Sequence, residues 1–263
     1  MNNWFKFKRP EIVVHLAAYA GVRHSMDDPG SYIQNNIVGT HNLIEACTHY
    51  GVGKVVYAST SCVMAGNPLP WNESEKLGYQ LNPYGYSKAT NESQFMASTI
   101  DVTVGLRFFT VYGPWGRPDM ALFDFTKNII AGNEIQLFNH GDMIRDFTYV
   151  DDLVKAIFLL ISKEPKKVKE RKEIIQYDNI SPVAPFRLVN IGNSHPINLL
   201  DFIKELENIL GKEAKKIFLS MQDGDIEKTH SDINLLRALT GFEPKTNIRE
   251  GIFEFVQWYK SYY

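Results

Sequence analysis

The chain alternates between short apolar runs and longer segments with helical periodicity. Three apolar runs dominate its N-terminal part: EIVVHLAA (11–18), KVVYAST (54–60) and DVTVGLRFF (101–109). Nearly continuous apolar runs are typical of parallel strands that helices cover on both faces. Between the runs, apolar residues at helical spacing extend from Ile33 to Cys47 and stop at Gly51, and a second helical segment follows Tyr84. The order predicts a βαβαβ unit, and therefore an α/β fold with a parallel sheet.

After about residue 112 the pattern becomes more mixed. Three further segments read as amphipathic helices: DMALFDFTKNIIAG, VDDLVKAIFLLI and NLLDFIKELENILG. The segment RLVNIG (187–192) reads as a strand that returns to the main sheet. The pattern therefore predicts a change of architecture near residue 112.

Composition narrows the class of protein. The chain has 263 residues, a net charge of −2 and 44% hydrophobic residues, which suits one large or two modest domains with a real core. A near-neutral charge gives no electrostatic reason to expect nucleic acid or an anionic membrane, and the mixed-charge run at 163–173 reads as a solvated loop or helix end. Cys47 and Cys62 form no disulfide framework and suit reduced, buried thiols.

The sequence favours neither a membrane helix nor a signal peptide. No apolar run approaches the roughly 18 residues of a membrane helix. Lys6, Lys8 and Arg9 precede an apolar stretch, as in a signal peptide, but Glu11 and His15 interrupt that stretch, which suits a buried strand better. We therefore expect a cytoplasmic protein.

A Tyr-x-x-x-Lys spacing occurs twice. Tyr50 and Lys54 straddle GVG, where a helix stops and a strand begins, so we interpret that pair as accidental. Tyr84 and Lys88 follow Asn82-Pro83, a good helix start, and residues four apart share one helix face. A lysine ammonium beside a phenol lowers the phenol's pKa and makes it a usable general base. A surface accident is the alternative for this second pair.

Hydroxyl side chains follow two of the predicted strands. ASTS (58–61) ends one strand and RFFTVYGPWGRPDM (107–120) contains the end of the next. Open α/β sheets bind their ligands at the carboxyl ends of the strands. Tyr, Lys and Ser/Thr side chains meeting there would form a proton-transfer set beside a cofactor.

The segments that carry this chemistry resemble those of a known family. They span nearly the whole chain: HLAAYAGVRHS, NNIVGTHNLIEAC, YASTS, NPYGYSK, RFFTVYGPWGRPDM, RDFTYVDDL and NIGNSHPINLLDFI. They are similar to the extended short-chain dehydrogenase/reductases of the NAD-dependent epimerase/dehydratase family, and within it to the nucleotide-sugar epimerases that act on UDP-glucuronate. The resemblance implies a doubly wound, Rossmann-type parallel sheet, NAD as cofactor and a UDP-sugar as substrate. Residues 1–112, with the strand at 188–192, would belong to the dinucleotide-binding domain, and 113–263 mainly to a smaller, mixed α/β substrate domain.

The resemblance also implies roles for individual residues. Tyr84 would be the base, Lys88 would hold it and the nicotinamide ribose, and Thr60 would relay protons. The residues that would line the NAD site, besides Tyr84 and Lys88, are Leu16, Ala17, Ala18, Asn35, Phe108 and Phe109. Thr110 and Arg117 would face the sugar carboxylate. Arg145 would meet the diphosphate and Asp225 the nucleotide ribose. No metal site is predicted.

Two departures from the family pattern stand out. The family begins with a strand, a Gly-x-x-Gly-x-x-Gly turn and a helix that hold the pyrophosphate, whereas only about ten residues precede the first strand here. The chain thus resembles a family member truncated at its N-terminus, with the strand at 11–18 as an apolar edge. A separately encoded N-terminal half, another copy of the chain, or MNNWFKFK would cover that edge. Val63, Met64 and Ala65 also replace the family's usual Val-Tyr-Gly.

Several functions stay open at this level. The resemblance implies 4-epimerisation of UDP-glucuronate to UDP-galacturonate through a 4-keto intermediate. Dehydration is disfavoured, because dehydratases of this group carry Asp-Glu after the relay threonine, where this chain has Ser61 and Cys62. Oxidative decarboxylation shares the early steps and stays open, as does a non-catalytic remnant or one subunit of a split enzyme. The resemblance also implies a homodimer formed through the helices at 31–49 and 84–98.

Overall fold

The computed structural model of the protein describes residues 2–166 and 177–263, so most of the mixed-charge run at 163–173 lies outside the described residues. The helices are α1 (Asn2–Lys8), α2 (Val22–Asp27), α3 (Pro29–Tyr32), α4 (Gly39–Tyr50), α5 (Pro83–Met96), α6 (Ala121–Ala131), α7 (Val150–Ile161), α8 (Leu199–Leu210), α9 (Asn234–Thr240) and α10 (Ile248–Tyr262). The strands are β1 (Ile12–His15), β2 (Lys54–Thr60), β3 (Val102–Phe108), β4 (Thr110–Tyr112), β5 (Glu134–Leu137), β6 (Ile144–Tyr149), β7 (Phe186–Ile191), β8 (Pro196–Asn198) and β9 (Lys215–Phe218).

A four-stranded parallel sheet forms the centre of the N-terminal part, and it confirms the predicted α/β class. Its strand order is β1-β2-β3-β7, so the strand predicted at 188–192 does pair with β3. All seven residues of β2 are buried. Val55 and Tyr57 face a core shared with α4 and α5, whereas Val56 faces a core shared with α7 and α9. Alternate side chains of one strand therefore hold helices on both faces of the sheet.

The helix predicted at 31–49 is interrupted. α3 passes into a π-helical turn, Ile33–Val38, before α4 begins. The extra residue per turn breaks the 3.6-residue register, so Ile33 is 43% exposed although the spacing placed it on the buried face. α4 ends as predicted at Gly51, whose φ of +70° is the left-handed conformation that glycine adopts most readily.

The strand predicted at 11–18 is shorter and less covered than its apolar sequence suggested. β1 spans only four residues, and Ile12 and Val14 are about two-fifths exposed (40% and 39%). α1 does not cover this edge, because its Phe5 is buried against Tyr50 at the end of α4. The expectation that helices cover both faces of this strand was therefore wrong.

A second hydrophobic core lies in the C-terminal part, between α6, α8, α10 and the short strands β5 and β6. The predicted boundary at 112/113 does not fully separate the two cores, since α7 and α9 pack with the main sheet in addition to β7, whose return was predicted. None of the helices in the described part of the chain combines the length and apolar character needed to cross a membrane.

Candidate active site

The start of α5 presents the predicted Tyr–Lys pair at the carboxyl end of β2. Asn82 caps the helix, because its Oδ1 accepts a hydrogen bond of 2.7 Å from the Gly85 amide, and Pro83 occupies the first helical position. The Asn82 side chain also donates to the Gly224 carbonyl, 2.9 Å away. One side chain thus both begins the helix and ties it to the C-terminal part of the chain.

Thr60 and Tyr84 lie together, as the sequence predicted. Thr60 ends β2, its Oγ1 accepts from the Cys62 amide at 3.3 Å, and it lies close enough to the Tyr84 phenol for a hydrogen-bonding interaction to lower the pKa of that phenol. Burial raises the pKa of Tyr84 above its usual value, and the field of Cys62 adds to the rise. The Thr60 hydrogen bond and the cation of Arg117 act in the opposite direction. In the absence of ligand, Tyr84 is therefore a protonated phenol.

Lys88 acts differently from the expectation. Its Nζ donates to the Ala58 carbonyl of β2 at 2.9 Å rather than to the Tyr84 hydroxyl, and the side chain is buried. Burial lowers the pKa of Lys88 to about 8, while the carboxylate of Glu92 opposes that decrease. The predicted lowering of the Tyr84 pKa by Lys88 is therefore absent, because the Lys88 ammonium is hydrogen-bonded to the backbone of β2 instead.

A buried ion pair behind Lys88 was not anticipated. Glu92 lies one turn further along α5 and binds the Arg107 guanidinium through two hydrogen bonds, of 2.9 and 2.8 Å. Ser59 donates to the same carboxylate at 2.6 Å. In the sequence, the signal for this ion pair is an acidic residue four positions after Lys88, on a helix face that also carries small, buried side chains. This pair joins α5 to β2 and β3 directly under the site.

The π-helical turn brings a different asparagine to the site from the one predicted. Asn35 is exposed and donates to the Ser31 carbonyl of its own helix at 2.8 Å. Asn36 is buried, exchanges hydrogen bonds of 2.8 and 2.9 Å with the backbone of Tyr19, and donates to Ser87 on α5. The sequence offered two adjacent asparagines, and only the turn geometry selects between them. The asparagine that the structure places against α5 is therefore Asn36 and not Asn35.

His15 is a further polar residue that the sequence analysis did not assign. It ends β1 and lies close enough to Lys88 for the ammonium to disfavour its protonation. Burial is the larger cause, and the two together lower the pKa of His15 to about 4. In the sequence, the only indication of this residue is that a single histidine stands within an apolar strand. At neutral pH this ring is uncharged.

Arg117 lies beside the aromatic residues that surround Tyr84. The Tyr32 ring is 6.3 Å from that of Tyr84, and its hydroxyl donates to the Gly21 carbonyl at 2.8 Å. Arg117 Nη2 is 3.5 Å from the position that a Cβ on Gly21 would occupy. The guanidinium forms two hydrogen bonds with Asp119, of 2.9 and 2.5 Å. The predicted cation is therefore near the base and already holds a carboxylate of its own chain.

Arg145 and Asp225, predicted to bind different parts of one ligand, are paired with each other. Arg145 Nη2 lies 3.3 Å from Asp225 Oδ1, and both side chains are less than one-fifth exposed (16% and 17%). Burial lowers the pKa of Arg145, and Asp225 opposes that effect. The charges of both residues influence the pKa of Cys62, so its half-buried thiol lies near this pair as well as near Thr60.

The remaining predicted residues divide into an exposed and a packed group. Leu16, Ala17 and Ala18 are exposed just beyond β1. Phe108, which is half-buried, packs on the core beneath α7 and α9, and Phe109 is buried against Trp71. Thr110 is half-buried at the start of β4 and pairs with Phe147.

The departure at Val63, Met64 and Ala65 lies inside the protein. All three residues are buried, and Met64 Sδ accepts from Arg107 Nη1 at 2.9 Å. The accidental reading of the other Tyr–Lys spacing agrees with the structure, because Lys54 donates to the Ile161 carbonyl at 2.8 Å. Within residues 2–166 and 177–263, no three His, Cys, Asp or Glu side chains cluster as metal ligands.

Known proteins resemble this chain in sequence along most of their length. The model of the NAD dependent epimerase/dehydratase family matches residues 1–175. Protein CapI of Staphylococcus aureus is 44% identical over 269 residues, which cover all of this chain and 80% of CapI. A probable UDP-glucuronate 4-epimerase of Rhizobium meliloti is 40% identical over 258 residues, covering 97% of this chain and 76% of the relative.

Solved structures agree with these matches. UDP-glucuronic acid 4-epimerase from Bacillus cereus, in complex with UDP-glucuronic acid and NAD, superposes with a TM-score of 0.85 at 31% identity, covering 100% of this chain and 78% of that one. MoeE5 in complex with UDP-glucose and NAD superposes with a TM-score of 0.84 at 30% identity, covering 96% and 80%.

Proposed function

The chain belongs to the NAD-dependent epimerase/dehydratase family, and from that premise we propose that it carries out 4-epimerisation of a UDP-sugar, with UDP-glucuronate as substrate and UDP-galacturonate as product. The observation that supports this substrate is the place of Arg117. Its charge lowers the pKa of Tyr84, and Tyr84 in turn raises that of Arg117, so the cation and the phenol are close. In a hexuronic acid the carboxylate is attached to C5, next to the C4 that reacts. A sugar whose 4-hydroxyl reaches Tyr84 thus brings its carboxylate towards Arg117.

NAD is the cofactor that the proposal requires, and when bound it accepts a hydride from C4 and returns it. The described residues fit its nicotinamide and ribose. Leu16, Ala17 and Ala18 are exposed at the carboxyl end of the sheet, with Lys88 and Asn36 nearby on α5 and the π-helical turn. A Gly-x-x-Gly-x-x-Gly turn for the pyrophosphate does not occur in this sequence. The residues named here would therefore bind only the nicotinamide end of NAD.

The residues present account for the proton transfers. Once its own proton has been lost to solvent, the Tyr84 phenolate takes the proton of the 4-hydroxyl as C4 becomes planar, and Thr60, which lies beside the phenol, relays it. The positive charge of Arg117 favours the phenolate form that accepts this proton, whereas the Lys88 ammonium is hydrogen-bonded to the Ala58 carbonyl. After the 4-keto sugar has turned over, the same phenol returns the proton to the new 4-hydroxyl.

Arg117 has a second task in this reaction. The 4-keto intermediate of a glucuronate is a β-keto acid, which loses CO₂ when its carboxylate bond stands perpendicular to the carbonyl. A guanidinium that holds the carboxylate by paired hydrogen bonds keeps the bond from C5 to the carboxylate from turning into that perpendicular direction. Asp119 now occupies the guanidinium, so the substrate carboxylate either shares Arg117 with Asp119 or displaces it. Arg145, which is paired with Asp225, would supply a cation for the diphosphate.

The first experiment is a measurement of NAD binding. Cofactor released by heat from the purified chain and calorimetric titration with NAD establish whether the site is complete. UDP-glucuronate is then added with NAD, and nucleotide products are separated by chromatography. We expect UDP-galacturonate without CO₂. No NAD binding at millimolar concentration would refute catalysis by this chain, and release of CO₂ with a UDP-pentose would show decarboxylation instead.

Arg117→Lys is the matched variant for substrate choice, because it keeps the charge but loses the paired geometry. It should weaken binding of UDP-glucuronate and leave UDP-glucose, which has no carboxylate, nearly unchanged. Equal effects on the two nucleotides would remove the argument for a uronate substrate.

Homodimerisation through the helical segments at 31–49 and 84–98 is part of the same proposal. Ile33 and Met96, at the ends of these helical segments, are 43% and 42% exposed, which suits burial in a four-helix contact. Light scattering on the Ile33→Glu, Met96→Glu double variant should give the monomer mass. A dimer mass for that variant would place the contact elsewhere.

A further inference from the structure

The loop that carries Arg117 contains a tryptophan in an unusual conformation. It runs from Gly113 to Met120, between β4 and α6, and Trp115 has a φ of +62°. A non-glycine residue in the left-handed region carries a conformational cost, so the surroundings must stabilise it. Trp115 is also 71% exposed, which is unusual for so large an apolar side chain.

The contacts of this ring explain what holds it. The Trp115 indole lies 5.3 Å from the Trp258 ring and 5.1 Å from the Tyr262 ring, both on α10. Trp258 packs in turn on Phe255, with ring centroids 5.4 Å apart, and Phe255 is buried in the second hydrophobic core. Ring distances of this size are those of favourable aromatic pairs. Aromatic packing thus connects the core of the C-terminal part to the loop.

The loop is tightly folded on both sides of Trp115. The Gly116 amide donates to the Gly113 carbonyl at 3.2 Å, and the Met120 amide donates to the Arg117 carbonyl at 3.1 Å. Gly113 lies so close to Val150 that a Cβ on it would stand 2.7 Å from that side chain. Little freedom remains between these turns, so the direction of Arg117 depends on where Trp115 docks.

We propose that Trp115 is the positioning residue for Arg117: docked on Trp258 and Tyr262, it holds the loop so that the guanidinium faces the carboxylate of the substrate. The proposal rests on the proposed function of the site. It assigns uronate selectivity to an aromatic contact with the C-terminal helix α10. Because most of the ring is in solvent, its removal should affect the loop more than the global stability.

Three substitutions separate the ring from the backbone conformation. Trp115→Gly relieves the left-handed backbone but removes the ring, Trp115→Ala removes the ring alone, and Trp115→Phe keeps an aromatic contact. Phe158→Ala is the control, since Phe158 on α7 is 75% exposed and lies outside the loop. Each variant is titrated, with NAD present, against UDP-glucuronate and against UDP-glucose. Amide hydrogen exchange is measured for the peptide that covers 113–120.

We expect Trp115→Gly and Trp115→Ala to weaken UDP-glucuronate binding about 10- to 100-fold, the effect of a displaced binding group. UDP-glucose binding should change by less than about twofold, and exchange in 113–120 should accelerate. Trp115→Phe and Phe158→Ala should behave like the wild type. An unchanged affinity of Trp115→Gly for UDP-glucuronate, or an equal loss for both nucleotides, would overturn the proposal.

Failure of the proposed function has a different signature. If the wild-type chain binds neither nucleotide sugar, the assigned substrate is wrong, and the hydrogen exchange still decides whether Trp115 orders the loop. Exchange in 113–120 that is as slow in Trp115→Gly as in the wild type would then overturn the positioning role by itself.

Discussion

Replacement of Glu92 by glutamine tests the buried charges on which the candidate site is built. In the wild type the Glu92 carboxylate accepts two hydrogen bonds from Arg107 and one from Ser59. Both charged side chains are almost fully enclosed, with exposed fractions of 5% and 2%. Glutamine keeps the shape but not the charge, and it leaves the Arg107 guanidinium between α5 and β3 without its paired carboxylate.

The magnitude follows from that burial. Removing one partner of a buried ion pair costs about 3–5 kcal/mol, because the remaining charge is held away from water. The free energy of unfolding of a domain is about 5–15 kcal/mol, so Glu92→Gln should remove a large fraction of it. The exposed pair Arg237–Glu243, whose side chains are 52% and 43% exposed, is the control. Glu243→Gln should cost no more than about 1 kcal/mol.

The assay is urea unfolding at pH 7, followed by circular dichroism and fluorescence. A double replacement, Glu92→Leu with Arg107→Met, removes both charges and should recover most of the loss. A cost below about 1 kcal/mol for Glu92→Gln, or a double variant as unstable as the sum of its single changes, would refute the reasoning. Loss of the carboxylate also lowers the pKa of Lys88 further, so the alkaline limb of the activity profile should move to lower pH.

Three further predictions concern single residues. Tyr84→Phe should lower kcat by at least about 100-fold with nearly unchanged substrate affinity, because it removes only the proton-transfer group; steady-state kinetics and calorimetry check this. The pKa of His15 is near 4 when folded and near 6.5 when unfolded, so the unfolded chain binds the proton first and stability falls as the pH drops through that window. Between pH 6.5 and pH 4 the free energy of unfolding in urea should therefore fall by about 2–3 kcal/mol less for His15→Gln than for the wild type. The same pH dependence in both proteins would contradict this prediction. Gly78→Ala should destabilise by more than about 2 kcal/mol, because its Cβ would stand 2.1 Å from the Ala65 carbonyl oxygen, whereas Gly53→Ala meets nothing within 4 Å and should be nearly neutral.

Local patterns in the sequence predicted the elements that place the site. KVVYAST is β2 residue for residue, and Asn82-Pro83 begins α5 as expected. These predictions succeeded because strand burial and helix capping depend on neighbouring residues. The register of the π-helical turn did not follow from spacing, since the pattern assumed 3.6 residues per turn. For the same reason the spacing did not show that Asn36, and not Asn35, is buried.

The sequence by itself determined the fold class, the family resemblance and the meeting of Thr60, Tyr84 and Arg117 at one edge of the sheet, because apolar periodicity and strand order dictate which ends come together. Only the tertiary structure decided the electrostatics. Whether Lys88 meets the Tyr84 phenol or the Ala58 carbonyl, and which carboxylate holds Arg107, depends on distances between segments far apart in the chain. Burial, which sets the direction of each pKa, likewise belongs to the packed molecule and to no single segment.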